Sequence, residues 1–522
     1  MKKKGIIVAA FFAVILLAST AAISSNRGPS KQTDAEKTTV TGTPEDNFPD
    51  AQRAKFCETG DAKSSEYVTE FKIPTKCTQP LSVVTDGDGM VWFSQTNTGK
   101  VAKFDPQSKQ FTEFNNPQWP QKGRSMFWGM TYANGDIWYT DDAYNSIWKF
   151  STSDKQYQRV SYPSKEDSLP HHIKVRNDIV IVNDFYGSKI SFFDLGNEKQ
   201  NGTYTDIPSP IPGSFTSSFD FDSQGYIWYT NWILKKGGAL VKFDYNKFSH
   251  FTVSETNSTL SQLSKAFDLP PTLGTPIGLS VDSNDNVWMA DTSSSSFFKF
   301  DPQSEKFTRY VTSDVRPAVY GNVTGLIKVP ASGPYWTQIN NGKLIFNEQL
   351  ANAIGVMDIG TESLVEYNVP SKNPNWSDCN EKQDCGYSQV FGFTSDGGKI
   401  WFTEWVENNI GMIDTTKPLP FDLQLSQTAV SLAKGQSAEI QMQLTSNTNT
   451  AASLLQQSTS QFADVTVQIQ NAQVDLTQSS PQTIPVSIHA SDFALPGTYK
   501  VLLSARTPDV TVSQFVTVTI TE

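Results

Sequence analysis

The sequence predicts an all-β protein, a seven-bladed β-propeller closed by an N-terminal strand and followed by an immunoglobulin-like β-sandwich. Three observations carry this prediction. A strand-rich unit recurs seven times, a strand without a blade of its own precedes the first unit, and the composition changes after Pro418.

The repeated unit is clearest at Pro276–Asp291, where two short apolar strands flank a polar turn and the second contains Trp288. Two further alternating strands follow, so each unit supplies a four-stranded antiparallel sheet. The tryptophan or its equivalent recurs at positions 92, 138, 180, 228, 288, 345 and 401. Four-stranded units at such a spacing are typical of a β-propeller, whose tryptophans pack between blades.

Ring closure follows from a count of strands. The seventh unit has a third strand at Asn409–Asp414 and then runs into Lys417-Pro-Leu-Pro, without a fourth. Residues 67–74 have the pattern of a fourth strand. We therefore expect the N-terminal strand to complete blade seven, which removes an exposed sheet edge.

The N-terminus combines three lysines with an apolar run, Gly5–Ile23. Residues 1–23 are therefore predicted to be a secretion signal or a retained membrane anchor, and the sequence favours neither. Residues 24–65 are polar and predicted to form a flexible tether. Either alternative places the protein outside the cell, anchored in the membrane or secreted.

Four cysteines in an exported chain predict disulfides. Three pairings are open, and the local one, Cys57–Cys77 with Cys379–Cys385, is favoured. The propeller is assigned to residues 66–416 and the sandwich to 417–522, where several short alternating strands occur. The net charge of −11 argues against nucleic acid as a partner.

The chemistry is expected at one mouth of the propeller channel, where strand one of each blade begins beside the end of strand two. Aromatic residues there include Trp128, Tyr335, Phe391 and Trp405, and acidic residues include Asp141, Asp291, Glu348 and Glu404. Aromatic walls over an acidic floor suit a small-molecule or peptide-like ligand. The alternative at each acidic position is simple capping of backbone N–H groups. His171 begins strand one of blade three and would be a general base near neutral pH.

The repeats resemble the streptogramin lyase (virginiamycin B lyase) family, through Trp401-Phe-Thr-Glu-Trp-Val-Glu-Asn-Asn-Ile-Gly-Met-Ile-Asp414 and through strand starts such as Pro276-Ile-Gly-Leu and Pro170-His-His-Ile. The resemblance implies a C–O lyase that opens cyclic ester substrates by elimination, assisted by a metal such as Mg²⁺. It implies His171 as the base, with Asp184 as its carboxylate. Leu169 stands where the family motif has a glutamate.

Two functions follow from these residues. The first is a lyase-like enzyme that uses His171 and Asp184 with a magnesium ion held by Glu348, Glu404, Asp141 and Asp291. The second is a non-catalytic extracellular propeller that binds a ligand or protein, with Trp128, Tyr335, Phe391 and Trp405 as the contact surface.

Overall fold

Seven four-stranded antiparallel blades make up most of this computed structural model. It describes residues 57–120, 123, 125–162, 168–194, 204–234, 236–248, 262–320, 331–377, 379, 385–460 and 462–522. The predicted signal or anchor, residues 1–23, and most of the predicted tether lie outside the described residues. No helix in the described part of the chain is long and apolar enough to cross a membrane.

Blades one to four follow the chain, each with its first strand innermost. Strand β1, Val68–Lys72, precedes them and belongs to blade seven. The strands of blades one to four are β2 Pro80–Thr85, β3 Val91–Gln95, β4 Lys100–Asp105, β5 Gln110–Phe114, β6 Met130–Ala133, β7 Asp136–Asp141, β8 Ser146–Ser151, β9 Tyr157–Ser161, β10 Pro170–Arg176, β11 Ile179–Asp184, β12 Lys189–Asp194, β13 Tyr204–Pro208, β14 Phe215–Phe221, β15 Ile227–Ile233, β16 Gly237–Phe243 and β17 Ser264–Asp268.

Blades five to seven continue the pattern with longer connections. Their strands are β18 Pro276–Val281, β19 Val287–Asp291, β20 Ser296–Asp301, β21 Lys306–Val311, β22 Pro334–Asn340, β23 Lys343–Glu348, β24 Ala353–Asp358, β25 Ser363–Asn368, β26 Val390–Asp396, β27 Lys399–Glu404 and β28 Asn409–Asp414. In the described parts of the connections there are three short helical turns, namely α1 Tyr245–Phe248, α2 Pro317–Tyr320 and a 3₁₀ turn at Pro374–Trp376.

Tight turns join strands one and two, as the sequence predicts. Asn134 and Gly135 both have positive φ, 53° and 85°. That combination fits a type I′ turn, whose twist matches the flanking strands. The start of strand one and the end of strand two therefore lie side by side in each blade.

The N-terminal strand closes the ring. Strand β1 pairs antiparallel with β28, from Val68 opposite Ile413 to Lys72 opposite Asn409. The prediction that residues 67–74 complete blade seven is confirmed. The two ends of the propeller are held by a ladder of backbone hydrogen bonds, which leaves no open edge there.

Neighbouring blades are joined at their innermost strands by side-chain hydrogen bonds and close backbone packing. In six blades a side chain at or just after the end of strand two donates to a carbonyl on strand one of the next blade. The bonds are Thr140 to His171, Asn183 to Thr216, Thr230 to Pro276, Thr292 to Pro334, Asn347 to Val390 and Thr403 to Leu81, at 2.8–3.1 Å. The strands approach so closely that a Cβ at Gly392 would lie 2.2 Å from the Leu81 carbonyl oxygen.

The repeated tryptophans are fixed by hydrogen bonds as well as by packing. The indole Nε1 of Trp92, Trp228 and Trp288 donates to an aspartate six residues earlier, at 2.7–3.0 Å. That aspartate begins the polar turn, so the turn and the inter-blade core are held in one register. The sequence shows the spacing, although we interpreted these tryptophans only as packing residues.

A second β-structure of nine strands follows the propeller. Its strands are β29 Phe421–Leu425, β30 Ala429–Ala433, β31 Ser437–Ser446, β32 Thr450–Ser458, β33 Val465–Ile469, β34 Gln473–Leu476, β35 Gln482–Ala490, β36 Gly497–Arg506 and β37 Val510–Thr521. One sheet has the order β29-β31-β35-β33, and the other contains β37-β36-β32-β34 with β30 beside β37. The two sheets share one apolar core, which makes them a β-sandwich.

The sandwich continues the sheet of blade six. Strand β37 pairs with β25, from Ser363 opposite Gln514 to Tyr367 opposite Val510. Phe515 and Leu502 pack in one cluster with Trp288 and Tyr310 of blade five. Lys500 is ion-paired with Glu362, which also accepts from the Tyr310 hydroxyl at 2.6 Å. The sandwich is therefore attached along a strand and does not hang from a linker as a spacer.

The close approach of inner strands predicts a large effect of one added methyl group. Gly392→Ala should reduce the free energy of unfolding by about 3 kcal/mol, because backbone of blade one would have to move. Gly87→Ala is the matched control, since nothing lies within 4 Å of a Cβ there, and it should change stability by less than about 0.5 kcal/mol. Chemical denaturation of the wild type and the two variants measures both effects. Equal denaturation midpoints would contradict the close approach of the inner strands.

Candidate functional site

The residues predicted at the mouth form a ring at the end of the second strands. Six of the seven pair with the first residue of strand three, for example Gln95 with Lys100 and Asp291 with Ser296. Asn231 pairs instead with Ala239, the third residue of its strand three. The ring residues are Gln95, Asp141, Asp184, Asn231, Asp291, Glu348 and Glu404, and all are buried.

Blade three corrects one assignment. Counting from position 180, the assigned tryptophan equivalent, puts Asn183 in the ring, because the ring residue Asp291 stands three positions after Trp288. Pro170 pairs with Asp184, as Pro276 pairs with Asp291, so Asp184 is the ring residue. The apolar run at 179–182 contains no tryptophan that could fix the alignment. Asn183 instead forms the inter-blade bond to Thr216.

Three ring carboxylates accept hydrogen bonds from donors of their own blade. Asp141 accepts from Trp148 Nε1 at 2.9 Å and from the amide of Tyr144 at 3.1 Å. Asp291 accepts from the amide of Thr275 at 2.8 Å, and Asp184 accepts from the amide of Leu169 at 2.7 Å. These bonds match the capping alternative, in which a buried carboxylate satisfies nearby N–H groups.

The two glutamates of the ring differ from the aspartates. Each faces a second glutamate from the outer strand of its own blade, Glu366 for Glu348 and Glu70 for Glu404. Burial, followed by the neighbouring carboxylate, raises the pKa of both Glu348 and Glu404 well above the usual range. The surroundings of both side chains therefore favour the protonated form over the charged form.

The predicted magnesium ligands do not form a common site. In the stretches the structure describes, the only group of three or more metal-binding side chains within reach of one another is Cys57, Glu58 and Cys77. Two of these are a disulfide. Glu348, Glu404, Asp141 and Asp291 thus do not fit one ion, and we derive no chemistry from a metal. Their role as metal ligands remains a prediction that this geometry does not support.

Aromatic side chains from opposite blades meet across the channel. The ring of Trp128 lies 5.2 Å from His171, 6.2 Å from Tyr335 and 6.0 Å from Phe391, measured between centroids. Phe391 in turn lies 5.7 Å from Trp405. All five are buried. The four predicted contact residues and the predicted base are thus brought together as an aromatic plug.

His171 lies within this plug. Its Nε2 is 3.4 Å from the hydroxyl of Tyr335, and its ring lies 4.9 Å from that of Trp336. Burial, with a smaller contribution from His172, lowers the pKa of His171 well below its usual range. The imidazole is therefore neutral, and no hydrogen bond to Asp184 is among its described contacts.

Some buried polar atoms at the plug have no protein partner. These are Trp128 Nε1 and His171 Nδ1. Trp128 is 4 % exposed, and His171 is 2 % exposed. Buried donors and acceptors without partners cost free energy, so such atoms are usually satisfied by water or by a ligand.

A second aromatic group, beside the plug, was missed by the sequence argument. Phe215 lies 5.1 Å from Phe185 and 4.9 Å from Trp232, and Tyr186 lies 5.5 Å from Phe215. Tyr186 and Phe215 are half-buried. Phe185 and Tyr186 follow the end of β11 in blade three, and Phe215 and Trp232 belong to blade four. The assignment of position 180 as the tryptophan equivalent concealed Phe185 and Tyr186.

Both disulfides follow the favoured pairing. Cys57 is bonded to Cys77, and Cys379 to Cys385. The first fixes the segment before β1 to the connection before β2, where the amide of Glu58 also donates to the carbonyl of Val406. The second closes a small loop in the connection before β26. Both therefore flank blade seven, near the ring closure.

No family model matches this chain, and no curated protein matches it. Among solved structures, virginiamycin B lyase from Staphylococcus aureus aligns at 18 % identity with a TM-score of 0.49, over 68 % of this chain and 99 % of that one. A streptogramin B lyase aligns at 19 % and 0.48, over 66 % and 96 %. Hydrazine synthase from Kuenenia stuttgartiensis aligns at 12 % and 0.42, over 68 % and 99 %.

The buried neutral imidazole predicts a loss of stability in acid. Because the pKa of His171 is lowered in the folded state, the unfolded chain binds the extra proton first, and stability falls as pH drops below about 6.5. His171→Phe should reduce this fall by up to about 1.4 kcal/mol per pH unit. Denaturation at pH 7 and pH 5 measures it, and an unchanged difference between the two pH values would contradict a buried neutral His171.

Proposed function

We propose that the protein is an exported propeller that binds a small or peptide-like ligand at the channel mouth without transforming it. The observation that carries this proposal is the pair of unpartnered nitrogens, Trp128 Nε1 and His171 Nδ1, inside the aromatic plug. A polar atom that is nine-tenths buried among aromatic rings costs free energy until it forms a hydrogen bond, and a bound ligand can supply that bond.

The chemistry of these groups limits the ligand. Indole Nε1 only donates, so it requires an acceptor such as a carbonyl oxygen. The rings of Trp128, Tyr335 and Phe391 and the half-buried Tyr186 and Phe215 offer apolar and aromatic surface around it. A carbonyl-bearing ligand with an apolar or aromatic face satisfies both requirements, and peptides and cyclic esters belong to this class.

Binding is favoured over elimination for a physical reason. A general base works best when its pKa lies near the working pH, and burial moves the pKa of His171 well below that range. The carboxylate of Asp184 is occupied by Leu169, Gly187 and Ser168. The neutral imidazole is thus suited to hydrogen bonding. The lyase hypothesis stays open as an outcome of the test below.

The two disulfides support an oxidising location. Together with the apolar run after Met1-Lys-Lys-Lys4, they support export to the outer face of the membrane, anchored or secreted. Segment 57–60 is hydrogen-bonded to Val406 and Glu407 beside the ring of blade seven. A tether that leaves from this segment would start at the mouth side of the propeller.

The test uses a streptogramin B-type cyclic depsipeptide as the probe. We expect quenching of tryptophan fluorescence on binding and no ring opening with or without Mg²⁺. Ring opening is followed by chromatography, because an elimination leaves the mass unchanged. Trp128→Phe should weaken binding about tenfold, since one hydrogen bond is lost while the aromatic ring is kept.

Trp138→Phe is the matched control, because Trp138 is a buried indole in the core between blades two and three. It should leave affinity unchanged. Ring opening by the wild type that disappears in His171→Ala would establish the lyase and overturn the non-catalytic proposal. If the Trp128 and Trp138 variants bind the depsipeptide with equal affinity, the plug is not the binding site.

A further inference from the structure

Three consecutive blades carry a glutamate at the same place on the outer strand. Glu366, Glu70 and Glu113 pair with the small residues Gly355, Gly411 and Ala102 of strand three. Over these small residues each glutamate reaches the ring residue of its own blade. The partners are Glu348 in blade six, Glu404 in blade seven and Gln95 in blade one.

Each outer glutamate also holds the connection that arrives from the preceding blade. Glu366 accepts from the amide of Ser313 at 2.9 Å, and Glu70 accepts from the amide of Ser371 at 3.0 Å. Glu113 accepts from Thr75, through the hydroxyl at 2.5 Å. The outer glutamate is thus an acceptor that ties two blades together. In blade six, Glu366 Oε2 and Glu348 Oε1 have no other hydrogen-bond partner, and in blade seven the same holds for Glu404 Oε1. Both oxygens of Glu70 already accept from Lys63 or Ser371.

In blade one the ring residue supplies a hydrogen-bond donor to the outer glutamate. The amide Nε2 of Gln95 donates to Glu113 at 3.1 Å. In blades six and seven the same contact joins two carboxyl groups. Two ionised carboxylates have no donor between them, so a hydrogen bond there requires one shared proton.

We propose that the Glu348–Glu366 and Glu404–Glu70 pairs are proton-dependent locks, which hold the connections into blades six and seven only while each pair keeps one proton. Gln95–Glu113 is the permanent version of the same lock. Blade six carries the sandwich and blade seven closes the ring, so loss of the two protons at alkaline pH loosens the molecule at its two joints.

Other charged groups face these sites. Arg316 lines the same cavity as Glu348 and Glu366, and in blade one Lys100 is ion-paired with Glu113 at 2.9 Å. Arg506 of β36 faces the blade-six pair and reaches Ser313 at 2.9 Å, and Asp314 and Tyr320 lie in the same neighbourhood. Glu407 lies near the blade-seven pair, with Lys72 beside it. Burial is the main cause that raises the pKa of Glu348 and of Glu404.

The sign of the pH dependence follows. The folded protein keeps protons that the unfolded chain has released, so the stabilisation is lost as pH rises through the raised pKa values. A glutamine in place of the inner glutamate keeps the donor at every pH. The sequence itself thus provides both forms of the lock for comparison.

The experiment compares the wild type, the double variant Glu348→Gln/Glu404→Gln and the reverse variant Gln95→Glu. Thermal unfolding is measured from pH 5 to pH 10. We expect the wild-type melting temperature to fall by several degrees more than that of the double variant across this range. Gln95→Glu should fall further than the wild type, because a third proton-dependent lock has been added.

Peptide-resolved hydrogen exchange supplies a local measurement. With rising pH, and after correction for intrinsic exchange, the Ser313 and Ser371 segments of the wild type should lose protection at least fivefold more than the Thr75 segment. In the double variant this difference should disappear, and in Gln95→Glu the Thr75 segment should join the other two. Identical alkaline melting in all three proteins, or equal protection at all three segments, would overturn the proposal.

Discussion

The contact between the first strands of neighbouring blades is the constraint on which the rest of the structure depends. At Gly392 the backbones approach so closely that no side chain fits between them, and the carbonyl of Leu81 receives the hydroxyl of Thr403. This contact fixes the angle between blades. The angle in turn decides that seven blades complete the circle and that β1 meets β28 in register.

The ring at the end of the second strands shows how one position serves different purposes. Asp141 and Asp291 accept from backbone and side-chain donors, and Gln95 donates to an outer carboxylate. Glu348 and Glu404 each face an outer carboxyl group, and burial raises the pKa of both. Burial is common to all of them, and buried polar groups must find partners. Within the plug, Trp128 Nε1 and His171 Nδ1 are left without protein partners among aromatic rings, and these two atoms support the proposed ligand site.

The sandwich changes the mechanical character of the propeller. Because β37 extends blade six, a force on the sandwich acts on a nine-stranded sheet that runs into the ring. The ring is closed one blade further on, where β1 and the two disulfides lie. Blades six and seven therefore hold both joints of the molecule, and they are the blades with paired carboxyl groups.

The sequence by itself determined the seven blades, the N-terminal closure and the sandwich, because period-two alternation, turn residues and the repeated tryptophans are local signals. It also placed the ring residues at the correct strand ends wherever a tryptophan fixed the alignment, and it failed in blade three, where Val180 and Ile181 could not be distinguished. Only the tertiary structure decided what those residues contact. Whether Glu348 faces a metal, a solvent channel or Glu366 depends on the strands that lie beside it, and no spacing along the chain records which side chain arrives from the outer strand.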